Sequence, residues 1–185
     1  MKSRAVHEVR IIGGVWKRSK LPVLDRPGLR PTPDRVRETL FNWLGQDLSG
    51  WRCLDAFAGS GALGFEAASR GAAAVVLLER DPAVARRLRD AAARLNASTL
   101  RIECTDALSW MSRADAGAYE LVFIDPPFDA GLHDAAIAAA ARLVAADGLL
   151  YVESRAAIAE PVPGWRVFRA GRAGAVDFRL LRRGD

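Results

Sequence analysis

The chain has 185 residues, half of them hydrophobic, with two cysteines and a formal net charge of +5. That length fits one domain with a sizeable core, and the composition excludes a disordered or fibrous chain. The opening residues, Met1 to Glu8, lack the apolar stretch of a secretory signal, and the longest apolar runs (72–78 and 135–141) are far too short to span a membrane, so a cytoplasmic protein is expected. Cys53 and Cys104 lie in apolar, strand-like runs and read as small core residues. His7 and His133 are isolated from any partner at ligand spacing, so no metal site is expected.

The charge is concentrated. Residues 1–37 carry ten Lys/Arg against Glu8, Asp25 and Asp34, a net +7, which leaves −2 for residues 38–185. A basic segment on a nearly neutral body suggests a polyanionic partner, since each phosphate neutralised releases condensed counterions. A solvated basic face is the plain alternative.

In chain order, segments 9–15 and 21–24 are short and apolar around Gly13-Gly14 and the cluster Lys17-Arg18-Ser19-Lys20, which predicts a small β-hairpin with basic residues at its turn. Pro22, Pro27, Pro31 and Pro33 then punctuate a non-helical stretch. Thr32 is placed to cap a helix with Pro33 in its first turn, and Val36, Leu40, Phe41 and Leu44 recur at helical spacing up to Gly45. From Trp51 strand and helix alternate: strand 52–56, helix 62–70, strand 74–79, helix 82–96, strand 100–104, helix 107–113, strand 119–125, helix 135–145, strand 149–153. The tail reads as a hairpin of strands 165–170 and 176–182. This is an α/β pattern with a seven-stranded, mostly parallel sheet covered by helices on both faces and closed by an antiparallel hairpin. The expected division is a basic arm over 1–32 and a catalytic domain over 33–185.

Two loops carry the chemistry. The first strand runs into Asp55-Ala56-Phe57-Ala58-Gly59-Ser60-Gly61-Ala62-Leu63-Gly64, where glycines let the backbone approach a ligand. The run matches the dinucleotide pattern G-x-G-x-x-G, with Glu79 following about 20 residues on. A pyrophosphate, however, prefers a positive helix N-terminus, and Asp55 adds a carboxylate that suits an ammonium or sulfonium instead. Glu79 can accept both hydroxyls of a ribose, and Asp106 an adenine amino group; Arg80 and Ala107 stand beside them. An amino acid end, a ribose and an adenine describe S-adenosylmethionine. Each acid alone could be a cap or a solvated strand end, but all three fall at successive strand C-termini, where open α/β sheets bind ligands. The second loop, Asp125-Pro126-Pro127-Phe128, follows the apolar run Leu121-Val122-Phe123-Ile124. Two prolines stiffen it and remove donors, leaving a carboxylate, free carbonyls and an aromatic face able to grip a planar group bearing an NH2.

These motifs resemble those of class I, Rossmann-like methyltransferases acting on an amino nitrogen. Arg30-Pro31-Thr32-Pro33-Asp34-Arg35-Val36-Arg37-Glu38-Thr39-Leu40-Phe41-Asn42-Trp43-Leu44, preceded by Ile11-Ile12-Gly13-Gly14, is similar to the RsmD family, bacterial 16S ribosomal RNA guanine-N2 methyltransferases. Pro33 departs from the small polar residue more usual there. The resemblance implies a small-subunit ribosomal RNA substrate within an assembly particle, S-adenosylmethionine as cofactor, no metal and a monomeric enzyme. It places the methionine end of the cofactor near Asp55, Arg30 and Thr32, the amine at Asp125 and the Pro126 carbonyl beside Pro127, and the base on Phe128. Arg10, Lys17, Arg18, Lys20 and Arg35 become the candidate RNA contacts. An adenine-N6 methyltransferase on DNA or RNA is the alternative, since the loop reads only an NH2. A glutamine-N methyltransferase comes next. An NAD oxidoreductase is disfavoured by Asp55 and by lysines confined to positions 2, 17 and 20, and a binding-only module by the intact acids.

Overall fold

Two short strands come first, β1 (His7–Arg10) and β2 (Lys20–Val23), then α1 (Asp34–Leu44). The alternating region follows: β3 (Arg52–Asp55), α2 (Ala62–Ser69), β4 (Ala74–Glu79), α3 (Pro82–Arg94), β5 (Leu100–Cys104), α4 (Ala107–Arg113), β6 (Tyr119–Ile124), α5 (His133–Leu143), β7 (Val144–Ser154), β8 (Trp165–Ala173) and β9 (Val176–Arg183). The computed structural model describes residues 7–29, 31–127, 131–155 and 163–184.

Seven strands form one sheet in the order β5-β4-β3-β6-β7-β9-β8, parallel from β5 to β7, with β9 antiparallel to both β7 and β8. This is the Rossmann-like sheet with a terminal hairpin that the strand–helix alternation implies. Side chains alternate between faces. Cys53, Leu121, Phe123 and Tyr151 pack with Leu40 and Phe41 of α1, Phe65 of α2 and Leu88 of α3. Leu54, Val122, Leu150 and Val152 pack with Met111 of α4 and Ile137 of α5.

Beyond shifts of a few residues at element ends, some details differ from the sequence reading. Helix α1 begins at Asp34 with Pro33 as the flanking residue, whose carbonyl accepts from Val36 and Arg37. A residue before proline is held extended, so Thr32 lies outside the helix and caps nothing. Helix α5 spans 133–143 rather than 135–145, because Val144 is already extended and opens β7. Cys53 is buried as expected, but Cys104 is exposed at the end of the edge strand β5.

The hairpin of β1 and β2 pairs from His7↔Val23 to Arg10↔Lys20. Its inner residues Val9, Ile11, Leu21 and Val23 belong to the main core, so the basic segment is built into the domain. The loop between the strands is fastened to α2. Glu66, fully buried, accepts the Ile12 and Gly13 backbone N–H groups at 2.9 and 2.8 Å, Arg37 Nη1 at 3.3 Å and Arg70 Nε at 2.9 Å. Ser69 Oγ donates to the Gly13 carbonyl and accepts from Trp16 N. Gly14 has φ 75°, and a Cβ there would lie 1.8 Å from the Ser69 carbonyl oxygen, so only glycine passes.

A buried ion pair is costly to break from one side, because the remaining charge stays desolvated. Glu66→Ala takes the carboxylate from the buried Arg70 and leaves the buried Arg37 only the exposed Asp34. It is expected to destabilise the fold by about 3–5 kcal/mol, lowering Tm by about 2–4 °C for each kcal/mol in a domain of this size. Calorimetry or thermal circular dichroism measures this.

Candidate active site

Strand β3 pairs with β4 on one side and β6 on the other, so the connections leaving it diverge at that point. Open α/β sheets hold ligands outside the strand C-termini at such a switch point. A cavity of about 300 Å³ opens there, lined by Gly28, Leu29, Thr32, Phe57, Ala58, Gly59, Ser60, Leu63, Asp125, Pro126, Pro127 and Arg155, among others. A second, of about 90 Å³, is bounded by Glu79, Arg80, Thr105, Asp106, Ala107 and Leu132 and shares Phe57, Gly59, Asp125 and Pro127 with the first.

Backbone bonds hold the glycine loop: Ala56 N donates to the Phe123 carbonyl and Ala58 N to that of Leu78. Gly61 has φ 79°, and a Cβ there would meet Leu88 at 2.6 Å. Glu79 Oε2 accepts Gly59 N at 3.1 Å, and its Oε1 accepts Asp81 N at 2.8 Å. The glycine loop and the start of α3 are thus set by one carboxylate. Asp106 caps α4, its Oδ1 accepting Ser109 N at 2.8 Å, and lines the smaller cavity.

The structure brings together most of the expected site residues and separates others. Thr32, Phe57, Ala58, Gly59, Ser60, Asp125, Pro126 and Pro127 surround the larger cavity; Glu79, Arg80, Asp106 and Ala107 surround the smaller. Asp55 and Gly61 line neither. The Asp55 carboxylate lies beneath the loop, 1% exposed, accepting Gly64 N at 3.0 Å. Arg30 and Phe128 lie outside the described residues. Arg10, Lys17, Arg18, Lys20 and Arg35 are exposed and line neither cavity. Lys20 pairs with Glu8 at 2.7 Å.

Sequence reasoning missed Leu29, Arg155, Tyr151 and Glu153. Arg155 lines the larger cavity. Glu153 is buried at the end of β7, where Tyr151 donates its hydroxyl to Oε1 at 2.7 Å. Parity could have found it: Tyr151 and Glu153 are two apart on a strand, as are Phe123 and Asp125, and Phe123 pairs with Tyr151.

Three acids consequently meet on one face of the sheet. Burial first, and then the charges of Glu153 and Asp55, push the Asp125 carboxyl well above the usual carboxylate range. Thr32 Oγ1 donates to Asp125 Oδ2 at 3.4 Å and opposes that rise. Burial also raises Glu153, against the Tyr151 hydroxyl that favours its charged form. Asp55 is pushed up to about 7, mainly by burial, with the Gly64 N–H pulling the other way. A carboxyl displaced in this way in the wall of a cleft, as that of Asp125 is, fits a functional site.

Residues 9–182 match the family model described as "Conserved hypothetical protein 95". The chain is 46% identical over 180 residues to the ribosomal RNA small subunit methyltransferase D of Escherichia coli K12, covering 95% of this chain and 90% of that protein. It is 41% identical over 181 residues to the protein of the same name from Haemophilus influenzae, covering 95% and 94%. The chain belongs to the ribosomal RNA small subunit methyltransferase D family. Among solved structures, the putative methyltransferase yhhF from Escherichia coli matches with a TM-score of 0.83 at 46% identity, over 96% of this chain and 98% of that one. TrmN from Thermus thermophilus, at 23% identity and TM-score 0.67, shares the fold. The family to which the 30–44 segment and the preceding Ile11-Ile12-Gly13-Gly14 point is the one found.

The Asp55 environment gives this methyltransferase a pH signature. A carboxyl titrating near 7 when folded, against an ordinary 3.8, binds more protons in the folded state between those values, so stability falls as pH rises through that window. Asp55→Asn is expected to raise Tm relative to the parent at pH 8, the advantage vanishing toward pH 4. Thermal melts across that range test it.

Proposed function

We propose that this methyltransferase transfers a methyl group from S-adenosylmethionine to the exocyclic N2 amine of one guanine in 16S ribosomal RNA, acting in the cytoplasm as a monomer on a small-subunit assembly particle. The observation that carries the reading is the Asp125-Pro126-Pro127 loop facing the glycine loop across one cavity. The identity to the two curated methyltransferases supports the substrate class.

The donor set suits the cofactor. Each Glu79 oxygen holds one backbone N–H and retains a lone pair, so its carboxylate is available to ribose hydroxyls at the smaller cavity. We assign Asp106, at the smaller cavity, to the adenine amino group, and Phe57 through Ser60 with Thr32, at the larger, to the methionine end. S-adenosylmethionine supplies an already activated methyl on a sulfonium. What remains for the chain is to present the amine, whose lone pair is delocalised into the guanine ring. Asp125 and the Pro126 carbonyl accept its two hydrogens, favouring a pyramidal nitrogen with its lone pair aimed at the methyl. Phe128 stacks on the base. Proximity and orientation then provide most of the rate.

Small subunits from a strain lacking the enzyme, incubated with methyl-labelled cofactor and digested to nucleosides, should yield N2-methylguanosine. Recovery of N6-methyladenosine would establish the adenine reading instead. Asp125→Ala should abolish transfer while leaving cofactor affinity by calorimetry largely intact; near-normal turnover would remove Asp125 from the mechanism.

The basic hairpin within segment 1–32 is proposed to grip RNA phosphates, while residues 33–185, joined at the cavity by Gly28, Leu29 and Thr32, carry the chemistry. Lys17 and Arg18 are exposed on the loop of the hairpin, beside the 81% exposed Val15. Changing Lys17, Arg18 and Lys20 together to Ala should weaken RNA binding and flatten its salt dependence by about 0.7–0.9 log–log units for each phosphate no longer gripped. Melting temperature should hold, since the exposed Lys20–Glu8 pair contributes little. Filter binding at several salt concentrations decides it.

A further inference from the structure

The mechanism above leaves Glu153 unused, although no other acid among the described residues is so closely tied to Asp125. Strand register brings them together. Phe123 pairs with Tyr151 and Ile124 with Val152, so the next residues along β6 and β7, Asp125 and Glu153, end side by side on the same face. At that spacing the two buried carboxyls can share a hydrogen bond only when one of them is protonated. Tyr151 donates its hydroxyl to Glu153 Oε1 at 2.7 Å, and Thr32 Oγ1 donates to Asp125 Oδ2 at 3.4 Å. Glu153 is 2% exposed, whereas Asp125 faces both cavities.

We propose that Glu153 is a positioning residue for Asp125: the two carboxyls hold one proton between them, and the proton shed by the methylated amine is passed through Asp125 to Glu153. This rests on the amine-methyltransfer reading given above. The Tyr151 hydroxyl favours charge on Glu153, so at rest the proton sits on Asp125, whose remaining oxygen lone pairs accept the amine hydrogen. As the N–C bond forms and the donor's S–C bond breaks, positive charge moves to the nitrogen. The nitrogen gives one proton to the free oxygen of Asp125, and the original Asp125 O–H proton crosses to Glu153. The pair goes from one proton to two and from −1 to neutral, the amine ends uncharged, and the donor leaves as a neutral thioether. The summed charge of the carboxyl pair, the amine and the donor sulfur is zero before and after.

The other groups facing the pair are consistent with this. Asp55 on β3 adds negative charge and holds the shared proton in place. From α5, the His133 ring meets Glu153 at its carbonyl oxygen, 2.7 Å away. From β9 the neighbour in register is the apolar Phe178, and Arg155 lines the cavity beyond the strand end.

Two variants test the inference in opposite directions. Glu153→Gln keeps the shape and the Tyr151 contact but cannot take a proton. Its kcat on small subunits should fall roughly 100-fold, at the lower end of general acid–base contributions. The acidic limb of its pH profile should move to lower pH, because Asp125 loses its like-charged neighbour. Tyr151→Phe removes the donor that favours charged Glu153, so its limb should move to higher pH. A readout free of turnover accompanies these: a raised folded pKa makes stability fall as pH rises, so Glu153→Gln protein without ligand should show a shallower loss of Tm as pH rises above the ordinary carboxylate range. An unmoved limb in Glu153→Gln, limbs moving the same way in both variants, or an unchanged Tm slope overturns the proposal. If Glu153→Gln does not fold, the direction of the Tyr151→Phe limb decides. Failure of the parent enzyme to methylate any RNA amine would instead sink the function reading.

Discussion

A single carboxylate organises the half of the molecule that carries the site. Glu66 lies in an otherwise apolar helix with no exposure to solvent, and a buried charge persists only with partners. It has two guanidiniums and two backbone donors. Of these, Arg37 reaches further, contacting the Arg10 carbonyl at 2.9 Å and the Thr32 carbonyl at 3.4 Å. Thr32 then reaches Asp125. A chain of polar contacts therefore runs from the C-terminal half of α2, through α1, to the carboxyl that faces both cavities. Each member has its orientation fixed by the next.

The acids at the other end of that chain are held at a cost. Asp55, Asp125 and Glu153 are gathered by parallel register on one face, above the aromatic pair Phe123–Tyr151, whose rings meet edge to face at 6.0 Å. Aromatic packing below gives the sheet its stability, while clustered carboxyls above consume part of it. Natural folds accept such conflict where chemistry needs a group away from its usual protonation state.

Much of this was legible in the chain. Alternating apolar strands and helices implied the mostly parallel sheet, and the two loops at strand ends supplied cavity walls, because glycine and proline act through local backbone geometry. Cys104 was misjudged because an apolar run does not reveal that its strand lies at an edge. The basic segment read as an appendage because its charges are visible in sequence, while the fifty-odd residues separating Ile12 from Glu66 hide the contact that fastens it. Glu66 itself offered one clue: a lone acid within Gly64-Phe65-Glu66-Ala67-Ala68 has no solvent face to occupy. Tyr151 and Glu153 needed the register of β6 against β7, which spacing along one strand cannot supply.

The seam between the first loop and α2 has a temporal consequence. The segment bearing Ile12, Gly13 and Trp16 leaves the ribosome well before Glu66 and Ser69 exist to receive it. Domains acquire structure as the chain lengthens, and a long-range contact forms only after its loop can close. The basic segment of a nascent chain must therefore wait, unfastened, until α2 has emerged. Only then can Gly14 seat against the Ser69 carbonyl. A chain that stops short of α2 carries the positive charge without the acid that anchors it.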